Sequence, residues 1–338
     1  MIEHRIYRFG DEEHILELYR RVFDKELTTE VWQWKYNGLY PDKKLIFLAF
    51  ENSICIGHYA LMPYRINAFG KEVKSYISLD SMIHPKFQGQ KVFSQLVQYA
   101  HNEISSSNEP YITFLNEKSI TIYTKKYNWK YLGNIPVFCR PLSLNHLKIK
   151  NKKFYLFLKP FALIINQIFR KRGNILVKEF NLFTKEIELL LKDSRCYSMD
   201  RSIEFLDWRF NKSPFNYKKY KIYYDHKLIG YYVIRNKKKF NINFTWIMDL
   251  LIIRGYEDNF SNVLNAIALQ NLYASDFITS MLPMKQYAKY YKRSGFIKIP
   301  SFVFPHDFYF CINKNKYNDD SIYSLGNWYM SWSLNDTL

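Results

Sequence analysis

The chain has 338 residues, 48% of them hydrophobic and 19% aromatic, and a formal net charge of +18. That length suits two domains, and so much apolar side chain excludes a disordered polymer. The charge calls for an anionic partner such as nucleic acid, acidic lipid or a phosphorylated small molecule. No arginine-rich arm or basic helix concentrates it, which weighs against nucleic acid.

In chain order, Asp11–Phe23 has helical spacing, with Ile15, Leu16, Leu18, Tyr19 and Val22 on one side. A second helix is expected from Thr28-Thr29, with Glu30 in its first turn. Lys44–Phe50 and Cys55–Pro63 read as strands of a hairpin turning at Glu51-Asn52-Ser53. The apolar run Tyr76–Ile83 predicts another strand, followed by His84-Pro85, a basic loop over Lys86–Phe93 and a helix over Ser94–Ile104. Tyr111–Leu115 reads as a buried strand, Ser119–Tyr127 as a helix, and Trp129–Leu132 begins a further strand.

A strand, a tight loop and a helix N-terminus leave backbone N–H groups unpaired at the positive end of a helix dipole, where phosphate binds readily. Gly89 admits close backbone approach, and Lys86 and Lys91 add charge. An ordinary loop between strand and helix has the same pattern.

The cysteines Cys55, Cys139, Cys196 and Cys311 stand far apart, without Cys-x-x-Cys or a histidine cluster. Neither a metal site nor a disulfide scaffold is expected, and a reducing, cytoplasmic setting fits. The start, Met1-Ile2-Glu3-His4-Arg5, lacks a signal peptide's apolar core. The apolar stretch Phe154–Phe169, followed by Arg170-Lys171-Arg172, contains Lys159 and Pro160 and is too short to span a bilayer of ~30 Å. Two readings of 154–172 stay open: a helix lying on an anionic membrane surface, or a connecting helix packed between domains.

The second half repeats the first. Trp34-Lys35-Tyr36-Asn37 with Pro41 is echoed by Trp208-Arg209-Phe210-Asn211 with Pro214. The strand pairs Lys44–Phe50/Cys55–Leu61 and Tyr220–Tyr224/Leu228–Arg235 follow, with Gly57 and Gly230 in matching places. Asp80 with Ile83 matches Asp249 with Ile252, and Tyr123–Trp129 matches Tyr290–Phe296. The repeat predicts two similar α/β domains, at 1–143 and 174–338, joined through a helical linker at 144–173.

The order of each half, the loop Gln88-Gly89-Gln90-Lys91-Val92-Phe93 and the element Asn116…Ser119…Tyr123…Asn128-Trp129 resemble the GNAT superfamily of acetyl-CoA-dependent N-acetyltransferases. Ile83-His84-Pro85 and Gln88 fit the family's pattern of Val/Ile-x-Pro followed by Arg/Gln-x-x-Gly-x-Gly/Ala; Lys91 and Phe93 depart from it where small residues are favoured. The Trp-Lys/Arg-Tyr/Phe…Pro element in both halves resembles two-domain GNAT-like proteins associated with bacterial cell-surface polysaccharide synthesis. The resemblance implies tandem domains, each a mixed, mostly antiparallel sheet flanked by helices. It also implies transfer of an acetyl group from acetyl-CoA to a small-molecule amine, such as an amino sugar or nucleotide-linked sugar. The second half has Glu257 and Asp258 where the first has Lys and Gln, so the first half is expected to bind acetyl-CoA and the second to shape the acceptor cleft.

Gln88, Gly89, Gln90, Lys91, Val92 and Phe93 are then the expected pyrophosphate loop, and Met82 and Ile83 supply backbone donors to the thioester. The resemblance places Tyr123 as proton donor to the leaving thiolate; a core aromatic is the other reading. By period two, Ser78, Asp80 and Met82 share a strand face, making Asp80 a candidate base, although Asp249 repeats it. Asn116 would hold a relaying water or cap a strand end, and Asp336 or the terminal carboxylate is an alternative base. Two other functions stay open: a Fem-type aminoacyl-tRNA-dependent transferase, and a non-catalytic binding module. Acceptor identity and oligomeric state are left open.

Overall fold

The computed structural model describes residues 1–40, 45–104, 108–145, 152–190, 195–239, 241–300, 308–314 and 317–334. Pro41, Asp336 and the terminal carboxylate lie outside them. The chain runs β1 (Glu3–Ile6), α1 (Glu12–Phe23), α2 (Thr29–Asn37), β2 (Ile46–Glu51), β3 (Ile54–Ala68), β4 (Lys71–Ile83), α3 (Val92–Glu103), β5 (Tyr111–Leu115), α4 (Glu117–Lys126), β6 (Trp129–Asn134) and β7 (Val137–Pro141). There follow α5 (Lys152–Ile168), β8 (Ile175–Phe180), α6 (Lys185–Leu189), β9 (Tyr197–Met199), α7 (Ile203–Phe210), β10 (Lys218–Tyr224), β11 (Lys227–Lys239), β12 (Ile242–Ile252), α8 (Phe260–Gln270), β13 (Phe277–Met281), α9 (Ala288–Lys292), β14 (Ile297–Lys298), β15 (Tyr309–Asn313) and β16 (Trp328–Tyr329).

Local chemistry explains the helices nearest the site. In α1 the apolar Ile15 and Leu18 turn inward, while Glu12 and Glu13 open the helix and Arg20 and Arg21 close it, in keeping with its dipole. Helix α2 starts where the Thr28 hydroxyl accepts the Val31 N–H.

The strands form two mixed sheets, as the tandem α/β reading expects. The first runs β1-β2-β3-β4-β5-β15-β6, extended by β9 on the end of β3 and by β16 on β9. The second runs β14-β7-β13-β12-β11-β10-β8. Each has one parallel step in its centre, β4 to β5 and β12 to β13.

A boundary at residue 143 does not follow these sheets. Strand β7 sits in the second sheet between β13 and β14, while β15 returns to the first sheet between β5 and β6. Each half thus supplies the antiparallel neighbour of the other's parallel strand, satisfying an edge that would otherwise stand open. Backbone bonds from Ile135 N to Phe308 O (3.2 Å) and from Leu282 N to Pro136 O (2.8 Å) clamp the crossover.

A continuous aromatic core draws on both sheets, with Trp34, Phe205, Trp208, Tyr231, Trp246, Phe310, Trp328 and Trp332 among its members. At its heart the repeated tryptophans meet. Trp34 and Trp208 stack at 5.2 Å between ring centroids, 16° from parallel. Each indole N–H donates to the other residue's carbonyl, both at 2.9 Å. A Cβ on Gly38 would lie 2.3 Å from Trp208 Nε1 and 2.4 Å from Trp34 O, so only glycine fits beside the pair. Gly38→Ala is expected to destabilise the protein by about 1–3 kcal/mol, as overpacking does; a lowered urea midpoint would register it, and an unchanged midpoint would contradict this packing.

Candidate active site

Strands β4 and β5 pair only through Tyr76 with Tyr111 and Ile77 with Ile112. Beyond Ile77 they splay, opening a cleft of about 190 Å³ lined by Ser78, Asp80, Ser81, Thr113, Asn116, Ser119, Tyr123, Phe23 and Leu334 among others. Met82 and Ile83 lie on the stretch of β4 that β5 no longer pairs, which leaves a strand edge for main-chain recognition. The Met82 side chain is buried against the α1–α2 side, so only its backbone is available there.

The bulge in β4 decides which side chains meet. Between the pairs His58–Met82 and Ala60–Leu79 the ladder slips, and Asp80 takes a left-handed φ of 45°. Period two therefore fails. Instead of Ser78, Asp80 and Met82 sharing a face, Ser78 and Ser81 both approach the Tyr123 hydroxyl, at 3.5 and 2.9 Å. Ser81 was not singled out from the sequence because alternation across an unbroken strand points it the other way.

Asp80 is held rather than free. Its carboxylate accepts from Lys35 Nζ and Tyr36 OH, each at 2.6 Å, with both members of the ion pair nearly buried. Burial alone would raise its pKa, but the Lys35 charge, with hydrogen bonds from Lys35 and Tyr36, overrides it and leaves the value lowered. His58 Nδ1 lies 2.7 Å from the Asp80 carbonyl, so this nitrogen carries the proton and donates. Burial lowers the His58 pKa, keeping the ring neutral. A lowered, paired carboxylate is a poor base at neutral pH, and the geometry makes Asp80 a pin for the bulge. Asp249 does the same in the second half, bound by Arg201 at 2.8 and 3.0 Å and by Tyr231 OH at 2.6 Å. The signal in the sequence for this structural work was the repetition of Asp80 as Asp249.

Tyr123 is buried with its hydroxyl at the cleft wall, its ring against Phe93, Tyr127 and Trp129. Burial pushes its pKa up to about 12, partly offset by Ser78 and Ser81. The phenol stays protonated and can donate. Its position-for-position counterpart, Tyr290, bonds instead to Asp258 at 3.0 Å, while Tyr291 takes the buried place with its hydroxyl 2.7 Å from Ser280. Asn116 lines the same cleft as the N-cap of α4, in a capping box with Ser119.

The loop follows β4 directly. Gly89 has φ 81° and Lys91 φ 65°, and Lys91 is the N-cap of α3. The side-chain amides fold back to brace the turn, Gln88 to Ile83 O at 3.3 Å and Gln90 to Lys86 O at 2.9 Å. His84 Nδ1 accepts the Lys86 N–H at 3.3 Å. Among the described residues no protein acceptor pairs with the N–H groups of Gly89, Gln90 or Lys91, all exposed at the head of a twelve-residue helix. Val92 is buried, and Phe93 packs inward on Tyr59, Tyr123 and Tyr127, so this departure from a small residue does not crowd the loop. Such donors suit an anionic group such as a phosphate.

The second half fills part of the equivalent features and keeps a cleft of about 230 Å³ lined by Leu251, Ile252, Arg254, Glu257, Tyr287 and Tyr329 among others. The Gly255 N–H donates to Glu257 Oε2 at 2.8 Å, so a carboxylate already sits where a phosphate would. The splay between β12 and β13 is bridged by the chain itself, with Tyr329 OH on Leu250 O at 2.6 Å and Met330 N on Pro283 O at 2.8 Å.

Residues 3–132 match the acetyltransferase (GNAT) domain family. The match spans the first sheet's own strands through most of β6, including the splay and the loop. No curated protein sequence matches the chain. Among solved structures it is similar to a GCN5-related N-acetyltransferase from Anabaena variabilis, at 12% identity and TM-score 0.65 over 92% of this chain and 72% of the other. It is also similar to a GCN5-related N-acetyltransferase from Kribbella flavida, at 10% identity and TM-score 0.63 over 92% and 70%. N-myristoyltransferase from Saccharomyces cerevisiae, with bound myristoyl-CoA, aligns at 10% identity and TM-score 0.61 over 97% and 86%. Such likeness establishes a shared fold. Among the described residues no group of His, Cys, Asp and Glu side chains could hold a metal ion.

Removing the Lys35 charge leaves Asp80 buried and unpaired, so Lys35→Met is expected to cost about 3–5 kcal/mol by urea unfolding. A loss below 1 kcal/mol, on the order of an exposed pair, would contradict the buried pairing. Asp80 and Asp249 both have lowered folded pKa values. Their contribution is therefore complete above the unfolded aspartate value of about 3.9 and disappears as pH falls below it, through the folded values. Unfolding midpoints measured down the acid limb should drop more shallowly in Asp249→Asn.

Proposed function

We propose that this chain is an acyl-CoA-dependent N-acyltransferase that acetylates an amine, with the donor held by the first half alone. The observation that carries the reading is the difference between two otherwise similar clefts. In the first, the loop N–H groups are unpaired and the β4 edge is open; in the second, Glu257 caps the loop and Tyr329 and Met330 bridge the splay.

An acyl-CoA supplies the activated acyl group. The backbone of Gln88–Phe93, with Lys86 and Lys91, holds the pyrophosphate, and the free edge of β4 at Met82 and Ile83 binds and polarises the thioester region. The Tyr123 hydroxyl, oriented by Ser81 at 2.9 Å, keeps a proton at neutral pH for the departing thiolate. Lys35, Tyr36 and Asp80 are positioning residues that fix the bulge and so place Ser81 beneath that hydroxyl. The amine's proton leaves through water at the cleft mouth beside Asn116, whose side-chain oxygen is engaged by Ser119. The acceptor is an amine; a sugar-linked one rests on the tryptophan motif's resemblance alone, and here that motif serves the joint between sheets.

Acetyl-CoA at about 100 times its dissociation constant should stabilise the protein by ~2.7 kcal/mol in a thermal shift, and Lys91→Glu should abolish the shift. Absence of any shift with acetyl-CoA would overturn the reading. Tyr123→Phe is expected to lower kcat by about 10²–10⁴-fold with donor affinity largely kept; unchanged turnover would remove the phenol from the chemistry.

A further inference from the structure

Helix α5 is fixed by one face and bare on the other. On the fixed face Ala162 is fully buried and packs with Leu144, Ile242 and Phe277. Asn166 donates to Pro141 O at 3.0 Å and Leu142 O at 3.3 Å, and its oxygen accepts from the buried Arg140 at 2.8 and 3.1 Å. Ile165 and Phe169 press on Gly295, where a Cβ would come within 3.0 and 2.6 Å of them. This anchoring sets the rotation of the helix about its axis.

The rotation turns Phe161, Ile164 and Ile168 outward, at i, i+3 and i+7, with exposures of 52, 57 and 65%, and Leu163 beside them at 52%. Directly after this stripe come Arg170, Lys171 and Arg172, all exposed. None of the three takes part in an ion pair among the described residues. Among the described residues no helix is long and apolar enough to cross a membrane. An apolar stripe continuous with unpaired cations matches the layering of an anionic bilayer, with acyl chains beneath and phosphate above. A second copy seated on the stripe with its helix parallel would bring two such cationic clusters together, which disfavours that arrangement.

We propose that α5 docks the protein on anionic membranes, its outer stripe entering the acyl–headgroup boundary and Arg170, Lys171 and Arg172 contacting lipid phosphates. The surface is separate from the β4–β5 cleft, so the inference is independent of the acyltransferase reading.

Flotation of the full chain with phosphatidylcholine–phosphatidylglycerol vesicles should recover bound protein, and pure phosphatidylcholine vesicles should not. Ile164→Glu with Ile168→Glu should abolish recovery. Replacing Arg170, Lys171 and Arg172 by Gln removes about 1 kcal/mol each, together lowering partitioning about a hundredfold. All of these side chains are exposed, and an unchanged thermal transition verifies that each variant is folded. No binding by the wild type at low salt, or binding that survives both variants, overturns the proposal. A dimer in light scattering that Ile164→Glu with Ile168→Glu dissolves would also overturn it, assigning the stripe to a second copy.

Discussion

The reciprocal stack of Trp34 on Trp208 is the constraint on which the rest depends. Two indoles at 5.2 Å, each bonded to the other's carbonyl, register one half against the other. Being buried, both N–H groups must be satisfied, and the pair satisfies them only in one relative placement. The next residue in each copy carries that registration outward. Lys35 reaches the Asp80 carboxylate at the β4 bulge, and Arg209 donates to Ser333 O at 3.1 Å, holding the segment whose Leu334 lines the same cleft. Symmetric parts of a repeat thus converge on one site from opposite sides.

The two halves keep one frame and differ at the opening between their strands. Both keep the parallel step, the splay beyond it and the buried aspartate held by a cation and a tyrosine. The differences are confined to what fills the opening. Glu257 supplies its own anion to the Gly255 N–H, and Tyr329 spans the gap as a wedge. The aspartate survives in both halves because its work is structural, whereas the loop's unpaired donors matter only where an anion is received.

Much of this was legible in the sequence. The repeat could be read because Trp34 and Trp208, Gly57 and Gly230, and Asp80 and Asp249 answer to packing demands that duplication preserved. The loop could be read because strand, glycine and helix follow within a few residues. Ser81 could not, since a bulge breaks the alternation on which any strand face is assigned, and nothing local in Ser78–Ser81 marks it. Nor could the ion pair of Lys35 with Asp80, whose partners are brought together only by α2 lying over β4. The exchange of β7 and β15 was equally hidden: a short apolar strand carries no label saying which sheet it joins.

That exchange has a consequence for the order in which the molecule is made. The first sheet cannot close its ladder from β5 to β6 until Tyr309–Asn313 has been synthesised, since that strand lies between them. The second sheet meanwhile needs β7, made long before its neighbours β13 and β14. The first half is therefore not a complete folding unit until β15 is made. The second sheet has all its strands once β14 is made, whereas the first keeps an open edge on β5 until β15 arrives. Long-range pairing of this kind folds slowly. A nascent chain arrested before β15 would present an unpaired edge, and that edge is where a chaperone would be needed first.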